Sequence, residues 1–252
     1  MSIRRGWNEL GRSREGRPLR AYANFSLDGN GGPPWTLLLG GTHGDERATV
    51  PFLERFVAEH LEAGEGGAVL TLPLLNPDGY AADSRYNAAG VDLNRNLPEL
   101  WSPDADEPPG PEPLSEPESR ALHDLLLEHC PARIVSLHWA LSEIDPDGEA
   151  DFLWAERIWN RLEPSHREMF RLKKPFADEQ LLPGSLGTFC RRRLRGTMMI
   201  TIELPYGPGP RSDALPPGHF GAVRALWARE PERYWEGVYP AVGTFLRLAV
   251  ES

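Results

Sequence analysis

Three scarcities frame this chain before any motif is read. Cysteine occurs only twice, at Cys130 and Cys190. That is too few for a disulfide framework, so both are expected as free thiols. No run approaches the roughly 18 apolar residues needed to cross a bilayer, so no membrane span is expected. Basic charge is short: 27 Lys and Arg stand against 37 Asp and Glu, a formal net charge of -10. That balance argues against a surface that tracks phosphates and hence against a nucleic-acid partner. The one basic cluster, residues 191–193 with Arg195, is expected as a solvated helix face. The first residues, Met1-Ser-Ile-Arg-Arg-Gly-Trp7, carry charge without an apolar core, so no secretory signal is visible. The expected compartment is the cytoplasm. What remains, 252 residues with 40% hydrophobic and 25% charged, is the composition of an ordinary globular protein.

Apolar runs bounded by turn residues recur along the chain. Residues 19–25 alternate in the manner of an edge strand, and Asp28-Gly-Asn-Gly-Gly-Pro-Pro34 is a turn sequence. Residues 35–39 and 68–75 are short, continuous and apolar, as buried strands are. Residues 48–61 place Val50, Leu53, Phe56, Val57 and Leu61 near helical spacing. Asn76-Pro-Asp-Gly-Tyr80 reads as a turn and residues 83–112 as loop, ending in a segment dense in proline and acid (102–113) that is expected to be a mobile surface loop. Ser115-Glu-Pro-Glu118 has the form of a capping box with Ser115 as N-cap, opening a helix that Pro131 stops. A strand at 133–139, an acidic loop at 143–149, a helix over 151–162 and a short helix opened by Gly184-Ser185 follow. A strand at 197–203 and closing helices that include 238–250 complete the pattern. Strands alternating with helices imply one α/β domain over residues 1–252, with a mixed, mostly parallel twisted sheet flanked by helices.

Four polar stretches come directly after apolar strands: His43 with Glu46, Asn76-Pro-Asp-Gly79, His138, and Glu203. In open α/β sheets the ligand crevice lies outside the carboxyl ends of the strands, so residues distant in sequence converge there. The imidazole and carboxylate of His43 and Glu46 suit a divalent metal such as zinc. Two ligands alone do not make a site. His138 by itself would read as a core histidine bonded to backbone, and Glu203 by itself as the partner of an arginine. Their shared strand-end placement is what points to a site.

His43-Gly-Asp-Glu46, Asn76-Pro-Asp-Gly79, Gly90-Val-Asp-Leu-Asn94-Arg95-Asn96, Ser136-Leu-His138 and Thr201-Ile-Glu203-Leu together resemble the zinc metallocarboxypeptidases of the carboxypeptidase A type. The likeness runs from about residue 36 to 205 in the right order. Within that family, Glu116-Pro-Glu118, Ile144-Asp-Pro146 and Pro183-Gly-Ser-Leu-Gly-Thr-Phe-Cys190 look like the bacterial murein peptide amidase branch. Members of that branch split the γ-D-glutamyl–meso-diaminopimelate bond of cell-wall peptides in the cytoplasm.

The resemblance implies one zinc ion held by His43, Glu46 and His138, with a fourth position left open for water. Glu203 would be the general base that takes the water proton and passes it to the leaving amine. Arg85 would stabilise the oxyanion. Asn94 and Arg95 would hold the substrate's free carboxylate, to which the arginine fork is matched. Asp92 is expected to brace its loop, Trp139 to form a wall, and Asn76-Pro-Asp-Gly79 to shape the crevice.

Two departures from the digestive enzymes matter. They carry arginine just before the glutamate ligand, where this chain has Asp45, and their late tyrosine has no evident counterpart. Residues 185–189 occupy roughly that region, and Tyr206 follows Glu203 too closely to be equivalent. The expected substrate is a small peptide. Diaminopimelate carries a second ammonium and carboxylate on its side chain. An acid such as Asp45 or Asp145 is expected to meet that ammonium, and an arginine near 191–193 that carboxylate. The alternatives are an N-acyl amino-acid deacylase of the succinylglutamate desuccinylase type and, in a different class, a catalytically inactive binding module. Nothing in the sequence bears on oligomeric state.

Overall fold

The computed structural model describes residues 2–27, 33–175, 177, 180–211 and 219–251, so most of the turn expected at 28–34 lies outside the described residues. Eight strands form one sheet: β1 (Gly6–Arg12), β2 (Pro18–Ala23), β3 (Trp35–Leu39), β4 (Ala68–Leu72), β5 (Arg133–Trp139), β6 (Glu143–Pro146), β7 (Arg171–Leu172) and β8 (Met198–Leu204). Their order across the sheet is β1-β2-β4-β3-β5-β8-β6-β7. The central pairs β4–β3, β3–β5 and β5–β8 are parallel, as is β6–β7 at one edge. The pairs β1–β2, β2–β4 and β8–β6 are antiparallel.

Helices cover both faces, which is why β3 is buried along its whole length and apolar at every position but Thr36. In chain order they are α1 (Thr49–Phe56), continued by a wider turn over Val57–Leu61, α2 (Pro77–Ala82), α3 (Pro117–His129), α4 (Glu149–Arg161), α5 (Pro164–Arg167), α6 (Leu186–Arg193), α7 (His219–Arg229) and α8 (Pro231–Glu251). The period-2 alternation of strands divides the core in two. Leu38, Val135, Leu137, Ile200 and Ile202 pack with Phe52 and Phe56 of α1, Trp154 of α4 and Phe245 of α8. Leu37, Leu39, Ile134 and Met199 face the other way, onto Leu122 and Leu125 of α3 and Phe189 of α6. Leu37, Leu38 and Leu39 are fully enclosed, and each such side chain contributes about 1.5–3 kcal/mol by leaving water.

Four local expectations are corrected. Residues 19–25 are not an edge, because β1 pairs outside β2. Residues 143–146 are not loop: β6 pairs with β8 across its full length, Glu143 standing opposite Glu203. The N-cap of α3 is Glu116, not Ser115. Pro117 takes the first helical position, and the residue before a proline is driven to extended backbone, here φ -96 and ψ 138 at Glu116. Residues 76–80 start the short helix α2, with Asn76 as N-cap accepting from Gly79 N at 2.9 Å.

Candidate active site

Alternation along two neighbouring strands aims the site. On β5 the residues facing α3 and α6 run Ile134, Ser136, His138. On β8 they run Met199, Thr201, Glu203. Parallel register sets His138 beside Glu203. Each row passes from apolar to ionisable toward the carboxyl end, and Met199, Thr201, His138 and Glu203 all line one cavity of about 340 Å³. His43 arrives from the end of β3 through Gly40 and Gly41. Asn76 N donates to Gly41 O at 2.8 Å, so the end of β4 holds that connection in place. Gly44 lies so close to α2 that a Cβ there would sit 2.0 Å from the Gly79 carbonyl carbon. The Asn-Pro-Asp-Gly stretch thus shapes the loop that carries His43.

His43, Glu46 and His138 are buried and converge, with one ligand atom from each lying within 4.8 Å of the others. His43 Nδ1 is 2.7 Å from Glu46 Oε1, and the two Nδ1 atoms face each other at 3.3 Å. A tetrahedron with zinc–nitrogen bonds of roughly 2.05 Å has edges of about 3.3 Å, so the donor set fits zinc. Glu46 Oε2 stands 3.1 Å from His138 Nδ1, so the carboxylate reaches both histidines. The electrostatics agree. Burial alone would lower the His43 pKa, but Glu46 and Asp92 overcome it and push it up to about 9. Burial likewise opposes ionisation of Glu46, but the two histidines hold it down at about 2. The cluster draws positive charge into its centre.

Glu203 shows the opposite behaviour. Burial, reinforced by the nearby charge of Glu46, pushes its pKa up to about 8, and its Oε2 has no hydrogen-bond partner among the described residues. A buried carboxylate with a raised pKa beside a metal site is suited to accept a proton near neutrality.

Asp92 does more than brace a loop. Its Oδ1 lies 3.2 Å from His43 Nε2 and accepts from Asn94 N at 2.8 Å, while Oδ2 accepts from Arg85 Nε and Nη2 at 3.1 and 2.8 Å. Despite burial, the bond to His43 and the charges of His43 and Arg85 hold its carboxyl well below the usual range. A carboxylate on the far nitrogen of a ligating histidine fixes its tautomer and raises its basicity. Arg85, Asn94 and Arg95 all line the cavity. Asn94 Oδ1 accepts from Leu186 N at 2.9 Å, tying the Asn94-Arg95 segment to the start of α6. Pro183-Gly184-Ser185 presses on the same segment: Gly184 has φ +67, and a Cβ there would stand 2.1 Å from Arg95 O, so this turn requires glycine.

Asp45 takes a different place from the one expected. It is not among the residues lining the cavity. Its position one residue before Glu46 turns its carboxylate toward Arg224 of α7, 3.7 Å away. The arginines at 191–193 do not reach the cavity either; Arg191 donates to Asp147 O at 2.6 Å and Arg192 stands 4.0 Å from Glu99. The far end of the cavity carries Asp145, Asp147 and Lys173 instead. Lys173 Nζ is 2.6 Å from Asp145 Oδ2, whereas Asp147 Oδ2 is buried with no hydrogen-bond partner among the described residues. Burial, then the charges of Asp145 and Asp151, push the Asp147 pKa up to about 7. Asp147 and Lys173 escaped the sequence reading; the nearest signal was an acid spaced two residues from Asp145. No tyrosine lines the cavity among the described residues; Ser185, Leu186 and Gly187 stand there.

The zinc carboxypeptidase family profile matches residues 7–142, which takes in His43, Glu46 and His138 but stops short of Glu203. Murein peptide amidase A of Escherichia coli is 30% identical over 222 residues, covering 79% of this chain and 81% of that protein. The protein of the same name in Vibrio campbellii is 30% identical over 225 residues, covering 78% of each. The crystal structure of murein-tripeptide amidase from Escherichia coli O157 superposes with a TM-score of 0.60 at 28% identity, covering 88% of this chain and 91% of that one. Bovine thrombin-activatable fibrinolysis inhibitor, solved with a tick carboxypeptidase inhibitor, shares the fold at a TM-score of 0.74 and 19% identity, covering 97% of this chain and 88% of that one.

Proposed function

This chain belongs to the zinc carboxypeptidase family, and on that premise we propose that it hydrolyses the γ-D-glutamyl–meso-diaminopimelate bond of murein peptides. The family and its amidase relatives make it a hydrolase of the zinc peptidase and amidase class. The observation that carries the finer reading is the charge layout of the cavity, with the His43, Glu46, His138 cluster on one side, Asn94 and Arg95 on another, and Asp147 with Lys173 at the far end. Arg95 and the Asn94 amide bind the free carboxylate of the residue to be released. Asp147 meets the side-chain ammonium and Lys173 the side-chain carboxylate of that residue. These two replace Asp45 and the arginines near 191–193 in the expected scheme.

His43, Glu46 and His138 would hold one zinc ion, which when bound would supply Lewis acidity to the scissile carbonyl and acidify a water. Glu203 accepts the proton of the attacking water as the new C–O bond forms, then delivers it to the departing amine as the C–N bond to the γ-carbonyl breaks. Arg85, held in place by Asp92, offers its remaining N–H groups to the oxygen that gains charge. We read the whole of residues 1–252 as one catalytic domain acting in the cytoplasm. No helix among the described residues is long and apolar enough to cross a membrane. The complete ligand set together with Glu203 argues against an inactive binding module.

The experiment is hydrolysis of L-Ala-γ-D-Glu-meso-diaminopimelate by the zinc-loaded protein, beside its lysine analogue and N-succinyl-glutamate. Preferential cleavage of the first is expected. Equal rates on the lysine analogue exclude the diaminopimelate reading, and preference for N-succinyl-glutamate restores the deacylase. Glu203→Gln should lower kcat by about 10³-fold or more with zinc content unchanged; loss of zinc with activity would assign Glu203 a ligand role instead.

A further inference from the structure

The segment 102–113 is absorbed neither by the core nor by the chemistry above, yet it is firmly held. Asp92 N donates to Pro108 O at 2.8 Å. Asn96 Nδ2 donates to Pro109 O and Glu112 O at 2.7 and 3.1 Å, and Trp101 Nε1 to Pro109 O at 3.1 Å. Pro108, Pro109, Pro111 and Pro113 fix φ along the same stretch. The expected mobile loop is instead a stiff strap laid over the Asp92–Asn96 segment.

That strap carries two adjacent acids to the backs of the two arginines that line the cavity. Glu107 accepts from Tyr86 Oη at 2.7 Å and stands 3.7 Å from Arg85 Nε. Asp106 takes Arg95 in a fork, Oδ1 accepting from Nε at 2.8 Å and Oδ2 from Nη2 at 3.2 Å. Arg95 Nη1 donates to Asn94 O at 2.9 Å. Three of the five guanidinium N–H groups are thereby used, leaving one on each Nη. The Arg95 side chain is 6% exposed, whereas that of Asp106 is 64% exposed. The charge of Asp106 is therefore largely screened by water, while its two-point geometry still fixes the plane and rotation of the guanidinium.

We propose that Asp106 is a positioning residue for the carboxylate clamp: it locks Arg95 so that the remaining N–H on each Nη faces the free carboxylate of the bound peptide. The inference rests on the reading of Arg95 given under Proposed function. It assigns the proline-rich strap a role in substrate affinity. The opposing arrangement is a resident carboxylate that competes with the peptide for Arg95, and the two differ in the sign of one measurement.

The zinc-loaded full chain is assayed as wild type, Asp106→Asn and Asp106→Ala, on a murein tripeptide with a free terminal carboxylate and on its terminal amide. Asp106→Ala should raise KM for the free acid about tenfold, the loss of a well-oriented charged hydrogen-bond pair. kcat should stay within about twofold, because the reacting atoms are untouched. The amide's KM should not move, and Asp106→Asn, which keeps one acceptor, should fall between. Melting temperatures should agree within about 2 °C, since the Asp106 half of the pair stands in water, which screens its contribution to stability. A KM that falls on truncation establishes competition and overturns the proposal. A KM unchanged in the variants, in an enzyme that prefers the free acid, overturns this inference alone. A wild type indifferent to the terminal carboxylate overturns the assignment of Arg95 and this inference with it.

Discussion

Replacing Asp147 with asparagine probes the far end of the cavity through two independent readouts. Burial, followed by the charges of Asp145 and Asp151, pushes this carboxyl up to about 7, against about 3.9 for an ordinary aspartate. Because the folded chain holds the proton more tightly than the unfolded one, the contribution to stability is intact below about pH 4 and is lost as pH rises through about 7. Each pH unit across that window is worth about 1.4 kcal/mol, which sets a ceiling of about 4 kcal/mol. Asp147 is only partly enclosed as a residue, so solvent screening reduces the expectation to roughly 1–3 kcal/mol. Asp147→Asn should therefore be more stable than wild type at pH 8, by about 2–10 °C in melting temperature for a chain of this length. At pH 5 the advantage should shrink to about a third of that. On the proposed reading of the cavity, the same change removes the partner of a substrate ammonium. It should cost about tenfold or more in kcat/KM for a side chain bearing that charge, and little for a neutral side chain. Thermal melts at both pH values, paired with kinetics on the two substrates, supply the data. A variant no more stable at pH 8, or favoured equally at pH 5 and pH 8, would refute the electrostatic argument. Equal losses on charged and neutral substrates would refute the recognition role.

Asp92→Ala removes the carboxylate behind His43 and should weaken zinc binding about 10–100-fold; competition with a chelator of known affinity measures it, and an unchanged affinity would show that His43 is oriented without Asp92. Gly184→Ala must place a Cβ on a left-handed backbone 2.1 Å from Arg95 O. It should destabilise the chain by about 2 kcal/mol or more and raise KM for the free-acid peptide by shifting Arg95. A denaturant midpoint equal to wild type would contradict that contact.

Much of the site was legible because the chemistry sits at strand ends. Short apolar runs ending in His43, His138 and Glu203 marked both the strands and the positions where a sheet delivers side chains. The Ser136-x-His138 and Thr201-x-Glu203 spacings already held the period that sets His138 and Glu203 on one face of the sheet, where both line one cavity. The local misreadings have specific causes. Ser115 satisfied the capping pattern, but Pro117 moved the helix start one residue on. Glu143 to Pro146 looked like an acidic loop because its pairing partner β8 lies far along the chain, and cross-strand pairing overrides local composition.

The sequence by itself determined the α/β class and the central parallel strands with most of their helices, since hydrophobic periodicity is a local property, and its family resemblance named His43, Glu46 and His138, which the fold brings together. Only the tertiary structure decided which charges line the cavity. Asp45 and Asp147 are both acids near the site motifs, yet one turns to Arg224 and the other lines the cavity's end, its Oδ2 without a hydrogen-bond partner among the described residues. The strap at 102–113 looked like solvent-exposed filler and proved to hold Arg95 from behind. Which carboxylate meets which cation is set by the packing of segments distant in sequence, and no spacing within one segment carries that information.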